Sequence, residues 1–120
     1  MTMLSIVPGR GEIKSKLFKH LSPVTLAKIQ GSLPLSGRLN FYEKNFAYIL
    51  TSVIAGEEKS KLEIKRGTVA FMPAGSTICF FLKDTKSFKP MNILGHVESG
   101  LEVLENAKRG DSLLIEKIVS

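Results

Sequence analysis

The chain has no tryptophan, a single cysteine, Cys79, and only two histidines, His20 and His96. One cysteine forms no internal disulfide and builds no zinc site by itself. His20 and His96 stand at no ligand-type spacing to each other or to Cys79, so no metal and no other cofactor is expected. No basic residue or histidine flanks Cys79 to lower its pKa, which makes it a small buried hydrophobe rather than a nucleophile. Acidic residues are few, 11 Asp and Glu against 17 Lys and Arg. Glu57-Glu58, adjacent carboxylates, sit in a charged surface turn and suggest no acid–base pair. No apolar run approaches the roughly 18 residues of a membrane span. The start, Met1-Thr2-Met3-Leu4-Ser5-Ile6-Val7, lacks the basic lead-in of a signal peptide. A soluble, cytoplasmic chain is therefore expected. Gly9-Arg10-Gly11 has neither the lysine nor the helix start of a phosphate loop and reads as a hairpin turn.

What is present is ordinary for a globular domain: 43% hydrophobic and 23% charged residues over 120 positions. That length holds one core, so residues 1–120 are read as a single domain. The net charge of +6 would draw polyanions through a long-range field, which leaves non-specific polyanion binding by basic loops as one reading. The lysines, however, are spread over several segments, as on a solvated surface. Exposed aromatics do not interleave with them to stack single-stranded bases, so nucleic acid is not the expected partner.

Strands are expected at residues 3–7 and 12–18, joined through Pro8-Gly9-Arg10-Gly11. Ile13, Ser15 and Leu17 alternate there with Glu12, Lys14 and Lys16. Ser22-Pro23 starts a helix, Ser22 as the cap and Pro23 at the first helical position, and Gly31 and Pro34 end it near Ser32. Asn40-Phe41-Tyr42 and Phe46 to Leu50 read as strands, Leu62 to Ile64 as a short edge strand guarded by lysines. Thr68–Met72 and Ile78–Leu82 follow, the second apolar on both faces and so covered on both. Lys83 to Lys89 reads as a polar loop and Met91 to Val97 as a strand. Gly100 opens a short helix carrying Leu101 and Leu104 and ending near Gly110, and Ser112 to Val119 is the last strand. The fold class is mostly β: a closed barrel of about eight strands capped by two short helices.

The order of these elements resembles a cyclophilin. Gly11-Glu12-Ile13, Leu17-Phe18 and Ser22-Pro23-Val24-Thr25 are similar to the strand–loop–helix opening of that fold. Gly67 to Gly75 resembles the strand and turn bordering the substrate groove, and Phe80-Phe81 the paired aromatics of the next strand. Ile93-Leu94-Gly95-His96-Val97 with Gly100 to Leu104 is similar to the strand and helix that follow. On these segments the chain resembles the small prokaryotic cyclophilin-like family, compact relatives of the peptidyl-prolyl isomerases.

The resemblance implies a groove, but few of an isomerase's polar groups. An isomerase needs an arginine beside the proline nitrogen to weaken amide resonance. Arg38 is the one arginine in that region, without the usual Phe-His before it or Gln-Gly-Gly after it. Pro73 stands where the family has a backbone-binding asparagine, and Cys79 where it has a glutamine. Phe88 and Met91 occupy the shortened loop that would supply a tryptophan and a histidine. Phe81 matches an aromatic of the proline pocket, and Met72 is placed beside it, either as groove floor or as core. Tyr42 and Tyr48 are candidates for its rim. Phe71 and Phe80 read as core, His96 as a satisfied structural histidine and His20 as exposed. The expected function is binding of a peptide segment or small apolar ligand without chemistry. The alternative is a weak or atypical prolyl isomerase using Arg38.

Overall fold

The computed structural model describes residues 1–120. Its strands are β1 (Thr2–Val7), β2 (Gly11–Leu17), β3 (Leu35–Arg38), β4 (Asn40–Tyr42), β5 (Phe46–Leu50), β6 (Lys61–Ile64), β7 (Thr68–Met72), β8 (Thr77–Phe81), β9 (Thr85–Ser99) and β10 (Ser112–Val119). Two helices, α1 (Pro23–Gly31) and α2 (Leu101–Asn106), and a single 3-10 turn at Pro73–Gly75 complete it. The pairing order is β3-β10-β1-β2-β9-β7-β8-β5-β4, with β6 attached to β9.

The architecture is mostly β, but it has ten strands rather than about eight, and its hydrogen-bond ladder does not close. The two ends of the ladder are consecutive pieces of one stretch of chain. β3 pairs with β10 through Leu35 to Arg38, and β4 pairs with β5 through Asn40 to Tyr42. Leu39 between them is fully buried, and its N–H donates to the Asp111 carbonyl. Side chains rather than backbone bonds draw the rolled sheet together here. A Cβ built on Gly37 of β3 would stand 3.1 Å from the Ile49 Cβ of β5, so only glycine lets the two strands come this close without a shift.

Strand alternation divides the apolar residues between two cores. Met3 and Val7 of β1, Ile13 and Leu17 of β2, Val69 and Phe71 of β7, and Ile78 and Phe80 of β8 fill the inside. Phe71 and Phe80 are thus core residues. Leu26 and Ile29 of α1 and Leu104 of α2 join them. The opposite face of β7 and β8 carries a second cluster, in which Ala70, Cys79 and Phe81 are joined by Phe46 of β5, Ile64 of β6 and Met91 of β9. β8 is consequently buried at all five positions. Each large apolar side chain so buried contributes on the order of 1.5–3 kcal/mol.

Leu35–Arg38, outside the strands expected from the sequence, forms β3. Three local expectations are corrected. Residues 85–89 are the first part of β9 and pair with β6, Glu63 opposite Lys86, rather than forming a loop. Lysines mark that segment because β6 and β9 meet at an exposed ladder, with Lys86 and Lys89 outward and Ser87 inward. α2 ends at Asn106, four residues before Gly110, because Asp111 takes the Lys108 N–H and holds the following link as a turn.

The third concerns α1. Ser22 makes no capping bond; its hydroxyl donates to the Ile93 carbonyl at 2.8 Å. The cap comes from Glu58, whose carboxylate accepts the N–H groups of Val24 at 3.0 Å and Thr25 at 2.7 Å and the Thr25 hydroxyl. Asn92, fully buried, accepts the Glu58 N–H at 2.8 Å and donates to Thr25 Oγ1 and the Gly56 carbonyl. Glu58 is therefore not an idle turn residue. It ties the 51–60 segment to the helix and to β9.

Candidate functional site

The outer cluster carries a groove at its surface. β5 turns Phe46 and Tyr48 outward, with Ala47 and Ile49 directed to the main core. β4 places Tyr42 opposite Phe46, and β8 places Phe81 opposite Phe46 on the other side. The four rings form a connected set. Tyr42 and Phe46 lie nearly parallel with centroids 5.4 Å apart, Phe46 and Tyr48 stand at 5.8 Å, and Phe46 and Phe81 at 4.9 Å. Phe88 arrives from β9 and stands 5.0 Å from Tyr42. Such offset and tilted arrangements are favourable for aromatic pairs.

The hollow measures about 210 Å³ and is lined by Tyr42, Phe46, Tyr48, Leu50, Met72, Gly75, Thr77 and Phe88. Three of these are large apolar side chains left substantially open: Tyr42 at 39%, Leu50 at 63% and Phe88 at 57% exposure. Polar side-chain groups are few, namely the hydroxyls of Tyr42, Tyr48 and Thr77. Gly75 shapes one wall: a Cβ there would come within 2.9 Å of the Met72 methyl.

The residues expected at the site divide into three groups. Tyr42, Tyr48, Met72 and Phe88 line the hollow. Phe81, Cys79 and Met91 lie beneath it with no exposed surface, and Pro73 starts the 3-10 turn at its edge. Phe81 belongs to the outer cluster, not to the inside of the sheet. Burial pushes the Cys79 thiol up to about 12, against a weaker opposing contact with Thr77, so it is not a thiolate near neutral pH. Arg38 stands apart. It ends β3, opposite Ser112, and its Nη1 donates to the Gly110 carbonyl at 3.0 Å. It does not line the hollow.

Phe46, Leu50, Gly75 and Thr77 were not singled out by the sequence. For Phe46 the signal was available: it is two positions before Tyr48 on one strand and so shares its face. The histidines converge on Phe18, His20 at 6.1 Å and His96 at 5.7 Å. His96 is exposed on the strand surface and makes no side-chain hydrogen bond, so it is not the satisfied structural histidine expected. No three His, Cys, Asp or Glu side chains gather in a metal-binding group. No helix is long and apolar enough to cross a membrane.

A family model described as cyclophilin-like matches residues 2–116. The chain belongs to the cyclophilin-like family. Among solved structures it is similar to the hypothetical protein AF2241 from Archaeoglobus fulgidus, at 24% identity and a TM-score of 0.82, over 98% of this chain and 95% of that one. It is also similar to McbB, solved in complex with tryptophan, at 14% identity and a TM-score of 0.76, covering 98% of this chain but 46% of that one. Both likenesses concern the fold. No curated protein matches the chain. Within this cyclophilin-like fold, the aromatic groove is the feature that its own residues build outward from the second core.

Proposed function

We infer that the protein is a binding module, and that the aromatic groove holds a short peptide segment or small apolar ligand without chemistry. The observation that carries this reading is the set of exposed apolar side chains, Tyr42, Leu50 and Phe88, that line an apolar hollow. Contiguous apolar surface of this kind marks a binding site more often than an accident of packing. The hollow has room for one side chain or a proline ring, because Phe46 already fills the space above Phe81. Aromatic walls supply contact area at low entropic cost, and the tyrosine hydroxyls offer single hydrogen bonds to a peptide backbone.

Catalysis of prolyl isomerisation needs a cation aimed at the proline nitrogen. Arg38 is engaged with Gly110 and is not in the groove wall, which supports the non-catalytic reading. The test is a two-dimensional NMR titration with acetylated Ala-Pro and Ala-Phe peptides, reading shifts and cis–trans exchange together. Saturable shifts at Tyr42, Tyr48, Met72, Thr77 and Phe88 with no accelerated exchange are expected. Exchange present in the wild type and lost in Arg38→Ala would establish the isomerase alternative instead. Shifts that follow the lysines and vanish steeply with salt would favour polyanion binding.

A further inference from the structure

A second hollow, larger than the aromatic groove, lies elsewhere on the molecule. It lies among the turns at the other end of the rolled sheet from α1. β5 and β8 define these ends: Phe46 faces Phe81 at one, Leu50 faces Thr77 at the other. From Leu50 the chain runs through 51–57 to Glu58 and the start of α1, so α1 covers the Leu50 end. At the Phe46 end, the β4–β5 turn, the segment after β8 and the link between α2 and β10 surround a space of about 480 Å³. That volume is in the range of small-molecule sites.

Its composition is specific. Phe41, Leu82 and Ala107 form an apolar floor and pack against the main core while remaining half-buried. Lys44, Lys83 and Arg109 stand around them, and none has a carboxylate within ion-pair distance or a side-chain hydrogen bond within the protein. The two wall carboxylates do not balance them. Glu105 is already held by Arg66, whose Nη2 donates to both its oxygens at 3.2 and 3.3 Å. Glu43 is the other, on the β4–β5 turn. Counting Arg66, four cations face two carboxylates around an uncovered apolar floor.

We propose that this end hollow binds a small organic anion: a carboxylate carried on an aromatic or branched apolar body. The body covers Phe41, Leu82 and Ala107, and the carboxylate is shared by Lys83 and Arg109. Arg109 is suited to the carboxylate because its planar donors match two oxygens at once. Lys44 adds to the field without needing contact. The site is separate from the aromatic groove and needs no ligand there, so it stands or falls independently of the groove's function.

The test uses three probes on the intact chain: 3-phenylpropionate, its neutral amide, and acetate. NMR shifts of backbone amides report where each binds. Saturable shifts with 3-phenylpropionate at Phe41, Leu82, Lys83, Ala107 and Arg109 are expected. The neutral amide and acetate should each bind about tenfold more weakly, since each lacks one half of the recognition. Lys83→Gln with Arg109→Gln should weaken 3-phenylpropionate about as much while leaving the melting temperature unchanged, because both side chains are exposed and unbonded. Equal binding of the amide, equal binding of acetate, unsaturable shifts spread over all lysines, or shifts centred on Tyr42 and Phe88 would each overturn the proposal.

Discussion

The ring of Phe46 stands 4.9 Å from that of Phe81 and separates it from the groove above. Phe46 is only 3% exposed, so it is at once the roof of the outer core and the floor of the groove. Removing it should join the two spaces. Phe46→Ala is expected to cost about 3–4 kcal/mol, in the range for buried phenylalanine truncation. The midpoint of urea unfolding should fall with an unchanged slope, as for a stability change alone. The same variant should accept a bulkier ring in the groove.

Phe88→Ala makes the complementary case. Its ring is 57% exposed and touches Tyr42, so stability should change by less than about 1 kcal/mol. If the groove binds peptide, affinity should nonetheless fall by several-fold, since aromatic rim residues commonly dominate recognition. Loss of stability without loss of binding would show that Phe88 only packs. The pair of variants separates floor from rim.

β9 passes so close to β2 that a Cβ on Gly95 would stand 1.8 Å from the Lys16 carbonyl oxygen. The atom in the way is backbone and cannot rotate aside. Gly95→Ala should therefore break the β2–β9 ladder and leave little folded protein, measured by circular dichroism and chemical denaturation. Gly31→Ala is the control. Nothing lies within 4 Å of a Cβ there, and its φ needs no glycine, so that variant should fold normally.

Much of this fold was legible because period-two alternation is a local signal. Ile13, Ser15 and Leu17 face the inside as their spacing requires, and the double-sided apolar run of β8 is buried on both faces. β3 was missed because Leu35-Ser36-Gly37-Arg38 has one apolar anchor and a glycine, and its glycine is there for Ile49 across the sheet. The N-terminal part of β9 was missed because exposed lysines on a two-stranded ladder look like a loop. The cap of α1 was missed for a different reason. Ser22 has the right chemistry in the right place, but a carboxylate 34 residues from Val24 displaces it, and no local pattern shows that. At the groove, Tyr42, Met72 and Phe88 were legible as candidates, whereas Arg38 is drawn to Gly110 by a β3–β10 pairing invisible in sequence.

Ser15 faces the inside among Ile13 and Leu17, fully buried, and its hydroxyl has no hydrogen-bond partner in the protein. A buried hydroxyl without a partner costs on the order of 1–3 kcal/mol. Ser15→Ala keeps the volume nearly unchanged and removes that cost. It should raise stability by about 1 kcal/mol in chemical denaturation. A destabilised variant would mean that the hydroxyl is satisfied in solution.

Glu58 should make stability depend on pH. Desolvation pushes its carboxyl up, but the bonds from the Thr25 hydroxyl and the Thr25 and Val24 N–H groups, helped by Lys28, outweigh that and hold it below the ordinary 4.5. A carboxyl lowered on folding stabilises the native state fully above its unfolded pKa. The contribution is lost as pH falls through the folded pKa, because the unfolded chain takes up the proton first. The wild type should therefore lose stability from about pH 5 downward. Glu58→Gln should be less stable at pH 7, by about 1 kcal/mol for a weakened helix cap, with the difference shrinking as pH falls. Asp111 is lowered too, by the Lys108 N–H and by Arg10, and leaves a residual slope in both proteins. The decisive quantity is the difference between the two unfolding curves at pH 7 and pH 3. A gap that stays constant would mean that Glu58 acts through packing alone, and that the charged cap is not what ties the 51–60 segment to α1.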